Sequence, residues 1–311
     1  MVRKWVAILV LVLSTFYAWS TPAYADHSNI ADADKPIQFG LTAVVIRENL
    51  RFLDQWSQYL SKKTGHRVEF VRRKSYREVM DLLDSGRIDF AWICGYPFVK
   101  KRYPEFIQML SVPVYKGKPV YQSFIIVHKD SPYKTIEDLE DSVFAFSDPD
   151  SNSGYLFPQF LLASEGKSPE GHFRQTFFTY NHAETVEAVA EQVADGGAVD
   201  SYIWEYLQEE RPELAGKTRV IVTSQSFGFP PLVARITADP AMVQKMKDVL
   251  LGMSGDPEGK KFLAGLKLDS FGESPSGLFD SIRKMASKIR KTQPWISAAE
   301  QREKETTAGK K

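Results

Sequence analysis

Cysteine is nearly absent from this chain: Cys94 is the only one in 311 residues. A single thiol forms no internal disulfide, so an exported protein of this size must be held by its core. The setting Ala91-Trp92-Ile93-Cys94-Gly95 is that of a buried strand end, which favours a core thiol over a reactive one. Histidine is scarce as well, with 5 residues and no H-x-x-x-H or C-x-x-C spacing, so a transition-metal site is not expected. Excess charge of one sign is also lacking, because 40 basic and 39 acidic residues leave a net charge of +1. Nothing therefore favours a polyanionic partner such as nucleic acid, and any anion must be recognised locally. A G-x-S-x-G elbow and paired acids within one motif are missing too, which argues against a hydrolase.

One long apolar run is present. Arg3 and Lys4 precede a greasy stretch from Trp5 to Trp19 that ends in Ala23-Tyr24-Ala25. That order of charge, apolar core and A-x-A site is an export signal, expected to be cut after Ala25. A membrane anchor would need roughly 20 apolar residues, more than this run offers. No cysteine stands near the cut to take a lipid, and no later run is long enough to span a bilayer. The mature protein is therefore expected to be exported.

The remaining chain is long enough for two lobes. Residues 26–35 read as a flexible leader and 296–311 as a disordered tail. Between them apolar strands alternate with amphipathic helices. Ile37 begins the first strand, and helices are expected over about 48–63 and from the capping box Ser75-Tyr76-Arg77-Glu78 to Gly86. Ile88 to Ile93 reads as a buried strand, while Ile107 to Tyr115 and Val120 to His128 carry the chain into a second lobe.

There the rhythm restarts, with a strand at Val143 to Phe146, a helix at Gly154 to Ser164 and a strand at Thr176 to Tyr180. A helix over 184–194 follows, with Val186, Val189 and Val193 in a stripe, and Ala198 to Ile203 reads as a strand. Alternating strands and helices predict an α/β fold of two lobes, each a mostly parallel sheet flanked by helices, with the ligand cleft between them. The expected boundaries are 36–121 plus 225–295 for lobe 1 and 122–224 for lobe 2. Gly86-Arg87-Ile88-Asp89 is echoed by Gly197-Ala198-Val199-Asp200, which marks either two related lobes or a chance repeat of helix-Gly-strand punctuation.

The most informative segment is Phe146-Ser147-Asp148-Pro149-Asp150-Ser151-Asn152-Ser153-Gly154-Tyr155. A strand ends, Pro and Asp turn the chain, and small polar residues stand where a helix opens. Backbone N–H groups there lack intrahelical partners, so an oxyanion can be held without Lys or Arg. Ser151, Asn152 and Ser153 add side-chain donors, and Gly154 lets the backbone approach a ligand. Simple helix capping is the alternative.

His182 also lies between a strand and a helix, either as an anion donor or as a solvent-exposed loop residue. Asp200, placed inside an apolar strand, needs a partner, which is either a protein N–H or hydroxyl, or a protonated ligand oxygen. An ionised carboxylate there favours hydrogenphosphate over sulfate. Tyr96 closes from the opposite side. Tyr121, Tyr202 and Trp204 are wall or contact, and Thr42, just past the first strand, completes the candidates.

Together these residues resemble the PhnD-like phosphate, phosphite and phosphonate-binding proteins of ABC importers. The resemblance runs from about Ile37 to Arg290. It is carried by Glu48-Asn49, Lys63-Thr64-Gly65, Ser75-Tyr76, Ser85 through Trp92, Asp148 through Tyr155, His182 and Asp195 through Tyr202. It implies a type II periplasmic-binding-protein bilobe with two crossover segments, no catalysis, no cofactor, no metal and a monomeric state. It assigns the phosphoryl group to Ser151, Asn152, Ser153, Gly154 and His182; Tyr155, Asp200, Tyr202, Tyr96 and Thr42 complete the expected ligand contacts.

Asn152 departs from the Thr often found in this family, replacing a hydroxyl donor with an amide. The turn Ser224-Gln225-Ser226-Phe227-Gly228-Phe229-Pro230-Pro231 lacks the carboxylate that grips an amine, which tips the expected ligand toward inorganic phosphate or phosphite. The implied mechanism is hinge closure followed by delivery to an importer permease. A sensor presenting its ligand state to a receptor kinase is the second reading, and a phosphate-ester hydrolase using His182 and Ser153 the third.

Overall fold

The computed structural model describes residues 35–42, 50–100 and 105–292. The export signal, most of the leader, the Glu48-Asn49 pair and the expected tail lie outside the described residues.

The chain opens with β1 (Ile37–Leu41), α1 (Leu50–Thr64), β2 (Val68–Arg72), α2 (Tyr76–Asp84), β3 (Phe90–Trp92), α3 (Gly95–Lys100) and β4 (Ile107–Val114). The capping box predicted for α2 is present: Glu78 N–H donates to Ser75 Oγ and the Glu78 carboxylate takes the Ser75 N–H. After β5 (Val120–Tyr121) come β6 (Ser123–His128), β7 (Val143–Phe146), a π-helical turn at Asn152–Leu156, α4 (Phe157–Ser164), α5 (Pro169–His172) and β8 (Gln175–Phe178). Next are α6 (His182–Ala190), β9 (Gly196–Asp200), α7 (Ser201–Glu210), α8 (Pro212–Ala215) and β10 (Thr218–Thr223). The chain then continues through β11 (Phe227–Gly228), β12 (Leu232–Arg235), α9 (Pro240–Gly252), α10 (Pro257–Gly265), β13 (Ser270–Gly272) and α11 (Asp280–Thr292).

Two sheets carry these elements in two lobes: a six-stranded one ordered β13-β4-β12-β3-β1-β2 and a five-stranded one ordered β10-β6-β9-β7-β8. Each contains a parallel trio, β2-β1-β3 and β8-β7-β9, where helical crossovers return the chain to the same end of the sheet. Each is mixed, because the strands that carry the chain between sheets pair antiparallel. The two passages between sheets meet in a short ribbon, with Phe227 opposite Tyr121 and Gly228 opposite Val120.

The first lobe's core is aromatic. Trp56 stacks on Phe271 at 6.5 Å and meets Trp92 edge-on at 6.3 Å, contacts worth about 0.5–1.5 kcal/mol each beyond burial. In the second lobe Phe144 stacks on Phe173 at 4.4 Å.

The two parallel trios have the same relative strand order, but the Gly-Asp echo in the sequence does not mark equivalent places. Asp89 precedes β3, whereas Asp200 ends β9 and caps α7. The strand expected from Ala198 to Ile203 is therefore shorter, because the Asp200 side chain accepts the Tyr202 N–H and turns the chain into a helix. The expected valine stripe also breaks: α6 stops at Ala190, Gln192 takes a left-handed φ of 57°, and Val193 is 64% exposed. Only Val186 and Val189 of that stripe reach the core.

Candidate functional site

The turn between β7 and α4 is built by its own polar groups. Asp148 O accepts the Ser151 N–H, and Ser151 Oγ accepts the Gly154 N–H at 2.9 Å. The helix does not open in α geometry. Leu156 N–H reaches back to Ser151 O, and Phe157 N–H to Asn152 O, a five-residue step that widens the turn. Ser151, Asn152 and Ser153 are fully buried.

The expectation of a row of free backbone donors is met only in part. Asn152 N–H points to the Cys94 Sγ at 3.3 Å and Gly154 N–H is held by Ser151, while Ser153 N–H has no acceptor among the described residues. Side chains add one unspent donor, a hydroxyl, and one unspent acceptor, an amide oxygen. Ser153 Oγ and Asn152 Oδ1 are enclosed and have no hydrogen-bond partner among the described residues. Such groups are expensive to leave unpaired, at about 1–3 kcal/mol each, and the ones that persist call for a functional account.

Gly154 has a packing reason as well. A Cβ there would stand 2.5 Å from Ser147 Cβ and 2.7 Å from its Oγ, so the approach of Ser147 already requires glycine. Ser147 N–H in turn donates to Gly154 O, and its hydroxyl to Ala198 O at 2.8 Å, which seats the turn against β9.

His182 is not a solvent-exposed loop residue. It is the first residue of α6, held under the Asn181 cap, and only 1% exposed. Its Nδ1 accepts the Asp200 N–H at 3.1 Å, and burial pushes its pKa down to about 3. A neutral ring with Nδ1 as acceptor carries its proton on Nε2, which donates to the Tyr76 hydroxyl at 3.2 Å. The Tyr76 proton is then available to an acceptor beyond. Burial holds Tyr76 and Tyr121 well above the usual phenol range, so both are neutral donors.

Tyr121 takes the Asn152 Nδ2 donor at 2.9 Å and lies beside Ser153. Cys94, pushed up to about 11 by burial, sits against the same groups as a neutral thiol. The cluster is therefore Ser151, Asn152, Ser153 and His182 from one lobe, facing Tyr76 and Cys94 from the other, with Tyr121 on the passage between them.

Asp200 adjoins it but is committed otherwise. Its Oδ1 caps α7 at 2.8 Å from Tyr202 N, and burial pushes its pKa up to about 8. The carboxyl is thus largely protonated at neutral pH, against the expectation of an ionised acceptor. Discrimination between hydrogenphosphate and sulfate cannot rest on its charge.

The remaining candidates lie around this centre. Thr42 Oγ1 donates to Trp92 O at 2.9 Å. The Tyr202 hydroxyl donates to Leu266 O at 2.5 Å, and its ring packs on Tyr115 and Phe229, so it is wall. Tyr155 packs edge-on against Phe146 and Phe178. The Tyr96 ring lies under Lys100 at 4.8 Å. Sequence reasoning missed Tyr76 and Cys94 as members of the cluster. The first was read as part of a capping box and of the family resemblance but given no role at the ligand, and the second as plain core.

A family model described as the periplasmic substrate-binding protein of a phosphonate ABC transporter matches residues 40–275. The chain is 26% identical over 293 residues to the phosphonates-binding periplasmic protein of Escherichia coli K12, covering 90% of this chain and 83% of that one. The binding-protein component of a phosphonate ABC transporter from Pseudomonas aeruginosa superposes with a TM-score of 0.75 at 24% identity, over 88% of this chain and 100% of that one. The methylphosphonate complex of PhnD1 from Prochlorococcus marinus has a TM-score of 0.72 at 20% identity, over 83% and 99%.

Proposed function

Because the chain belongs to the family of periplasmic substrate-binding proteins of phosphonate ABC transporters, we propose that it captures a compact phosphorus oxyanion in the Ser151–Gly154 cluster and closes over it for delivery to the importer. The observation that carries this reading is the enclosed, unpartnered Ser153 hydroxyl together with the Tyr76 hydroxyl, whose proton His182 leaves free; Asn152 Oδ1, also unpartnered, accepts and could take only a P–OH. Hydroxyls and an N–H can stabilise an anion without a buried cation, as helix openings do, with His182 acting only through the Tyr76 hydroxyl it orients.

The late turn supports a ligand without an amine. Phe227 and Phe229 fill it, Ser224 Oγ is engaged with Ser123 N–H and Gln225 O, and no carboxylate is present between 224 and 231. Inorganic phosphate and phosphite are therefore the foremost candidates, with methylphosphonate next. Closure is a shift of an open–closed equilibrium toward the state with more ligand contacts.

A thermal-shift panel of phosphate, phosphite, methylphosphonate, aminoethylphosphonate and sulfate tests this reading. A ligand bound only by the native state raises the midpoint through mass action, by about 2.7 kcal/mol of stability at a hundredfold excess over Kd. Stabilisation by phosphate or phosphite but not by aminoethylphosphonate is expected. No response to any phosphorus oxyanion would overturn the reading.

A further inference from the structure

The residue just before the donor turn carries a charge that no anion would tolerate unscreened. Asp150 is 7% exposed and precedes Ser151 directly. Its carboxylate lies 3.2 Å from Lys100 Nζ on α3 and 3.6 Å from Arg77 Nε on α2. Both cations stand on helices of the six-stranded lobe, whereas Asp150 follows β7 of the five-stranded lobe. The same stretch crosses between lobes a second time, because Asp148 Oδ2 accepts the Tyr76 N–H at 3.0 Å at the start of α2. Asp148 Oδ1 also accepts the Asp150 N–H at 2.8 Å, so the two crossings are rigidly linked.

Resting on the functional reading above, we propose that Asp150 is a positioning residue for capture: its pairing with Lys100 and Arg77 holds the lobes shut over Ser151–Gly154 without touching the ligand. A fully exposed ion pair would contribute little and be screened by salt. Here the Asp150 side chain is only 10% exposed and meets two cations from two helices, so the carboxylate is shielded, while Lys100 at 27% and Arg77 at 51% exposure keep part of the pairing open to solvent and salt. The two cations also neutralise a carboxylate that would otherwise repel an incoming anion.

The arrangement leaves a kinetic signature. Loss of the Asp150 charge frees the lobes to part, which speeds ligand escape, while Lys100 and Arg77 remain as positive charge near the turn and sustain anion entry. A lesion that only loosened the fold would lower the folded fraction without changing the escape rate of the protein that remains folded.

Stopped-flow tryptophan fluorescence with inorganic phosphate and phosphite tests this on wild type, Asp150→Asn, Asp150→Glu and Lys100→Met. The expected result is an escape rate about tenfold faster in Asp150→Asn and Lys100→Met, for whichever anion binds. The entry rate of Asp150→Asn is expected unchanged or higher, the phosphate-to-phosphite ratio unchanged, and Asp150→Glu close to wild type. If wild type binds neither anion, methylphosphonate takes their place in the same measurement, and binding of none of the three overturns the functional reading. If it binds and both charge-removing variants release at the wild-type rate, only the clasp is rejected. A changed phosphate-to-phosphite ratio in Asp150→Asn would also overturn it, by making Asp150 a ligand contact.

Discussion

The Tyr76 hydroxyl and His182 Nε2 lie 3.2 Å apart although 106 positions separate them in the chain and they belong to different lobes. The contact is directional, because Asp200 N–H occupies Nδ1 and leaves the ring proton on Nε2. Tyr76 therefore accepts from the imidazole and presents its own proton outward, which makes one lobe's helix start a donor to whatever the other lobe holds.

Tyr76→Phe removes that relay and strands a buried N–H. The expected outcome is an anion affinity lower by roughly tenfold, together with a lower thermal midpoint of the ligand-free protein, since an unpaired buried donor costs about 1–3 kcal/mol. Calorimetry and thermal unfolding read the two effects separately. Unchanged affinity would place Tyr76 outside the site.

Ser153→Ala is expected to behave in the opposite way on stability. Its hydroxyl is buried without a partner, so removing it leaves the ligand-free protein equally stable or more stable. Anion affinity should nevertheless fall about tenfold, by the worth of one hydrogen bond to a charged group. Calorimetry of Ser153→Ala beside His182→Ala is decisive: wild-type affinity in both would reject the assigned site.

Gly154→Ala tests the packing beneath the turn. The new methyl would lie 2.5 Å from Ser147 Cβ, and Ser147 cannot retreat without breaking its bond to Ala198 O. Overpacking of this kind costs about 1–3 kcal/mol. A lower denaturation midpoint and weakened anion binding are expected together. A wild-type midpoint would show that the turn shifts freely.

The elements were legible where local signals agree: Ser75 and Glu78 announce α2, and the central strands β3 and β7 are short apolar runs. The helix-opening donors were also legible, because Pro149 and the run Ser151-Asn152-Ser153-Gly154 mark a turn into a helix. The partners they meet were not. Cys94 reaches Asn152 across 58 positions, and Tyr121 reaches it across 31, so neither contact leaves a local pattern. Asp200 was placed inside a strand because the residues on both sides are apolar. A cap that ends a buried strand and a buried strand itself differ only in the side chain's hydrogen bond.

The pH dependence of stability between about 7 and 9 should belong to Asp200. Its folded pKa of about 8 is raised by burial above an unfolded value near 3.9, so the protonated carboxyl is favoured by the fold. That contribution is fully present below about pH 4 and is lost as pH rises through 8. His182 works in the other direction, because a folded pKa of about 3 adds stability above about pH 6.5 that is lost as pH falls toward 3. Asp148, raised by burial to about 6, has finished titrating below the window, and Cys94, raised to about 11 in the fold against about 8.5 unfolded, begins to lower stability only near its upper edge. The thermal midpoint of wild type is therefore expected to fall from pH 7 to 9. Asp200→Asn should flatten that fall, because the amide is neutral throughout and still caps α7. An equally steep fall in Asp200→Asn would assign the titration to another group and remove the basis for a protonated carboxyl beside the site.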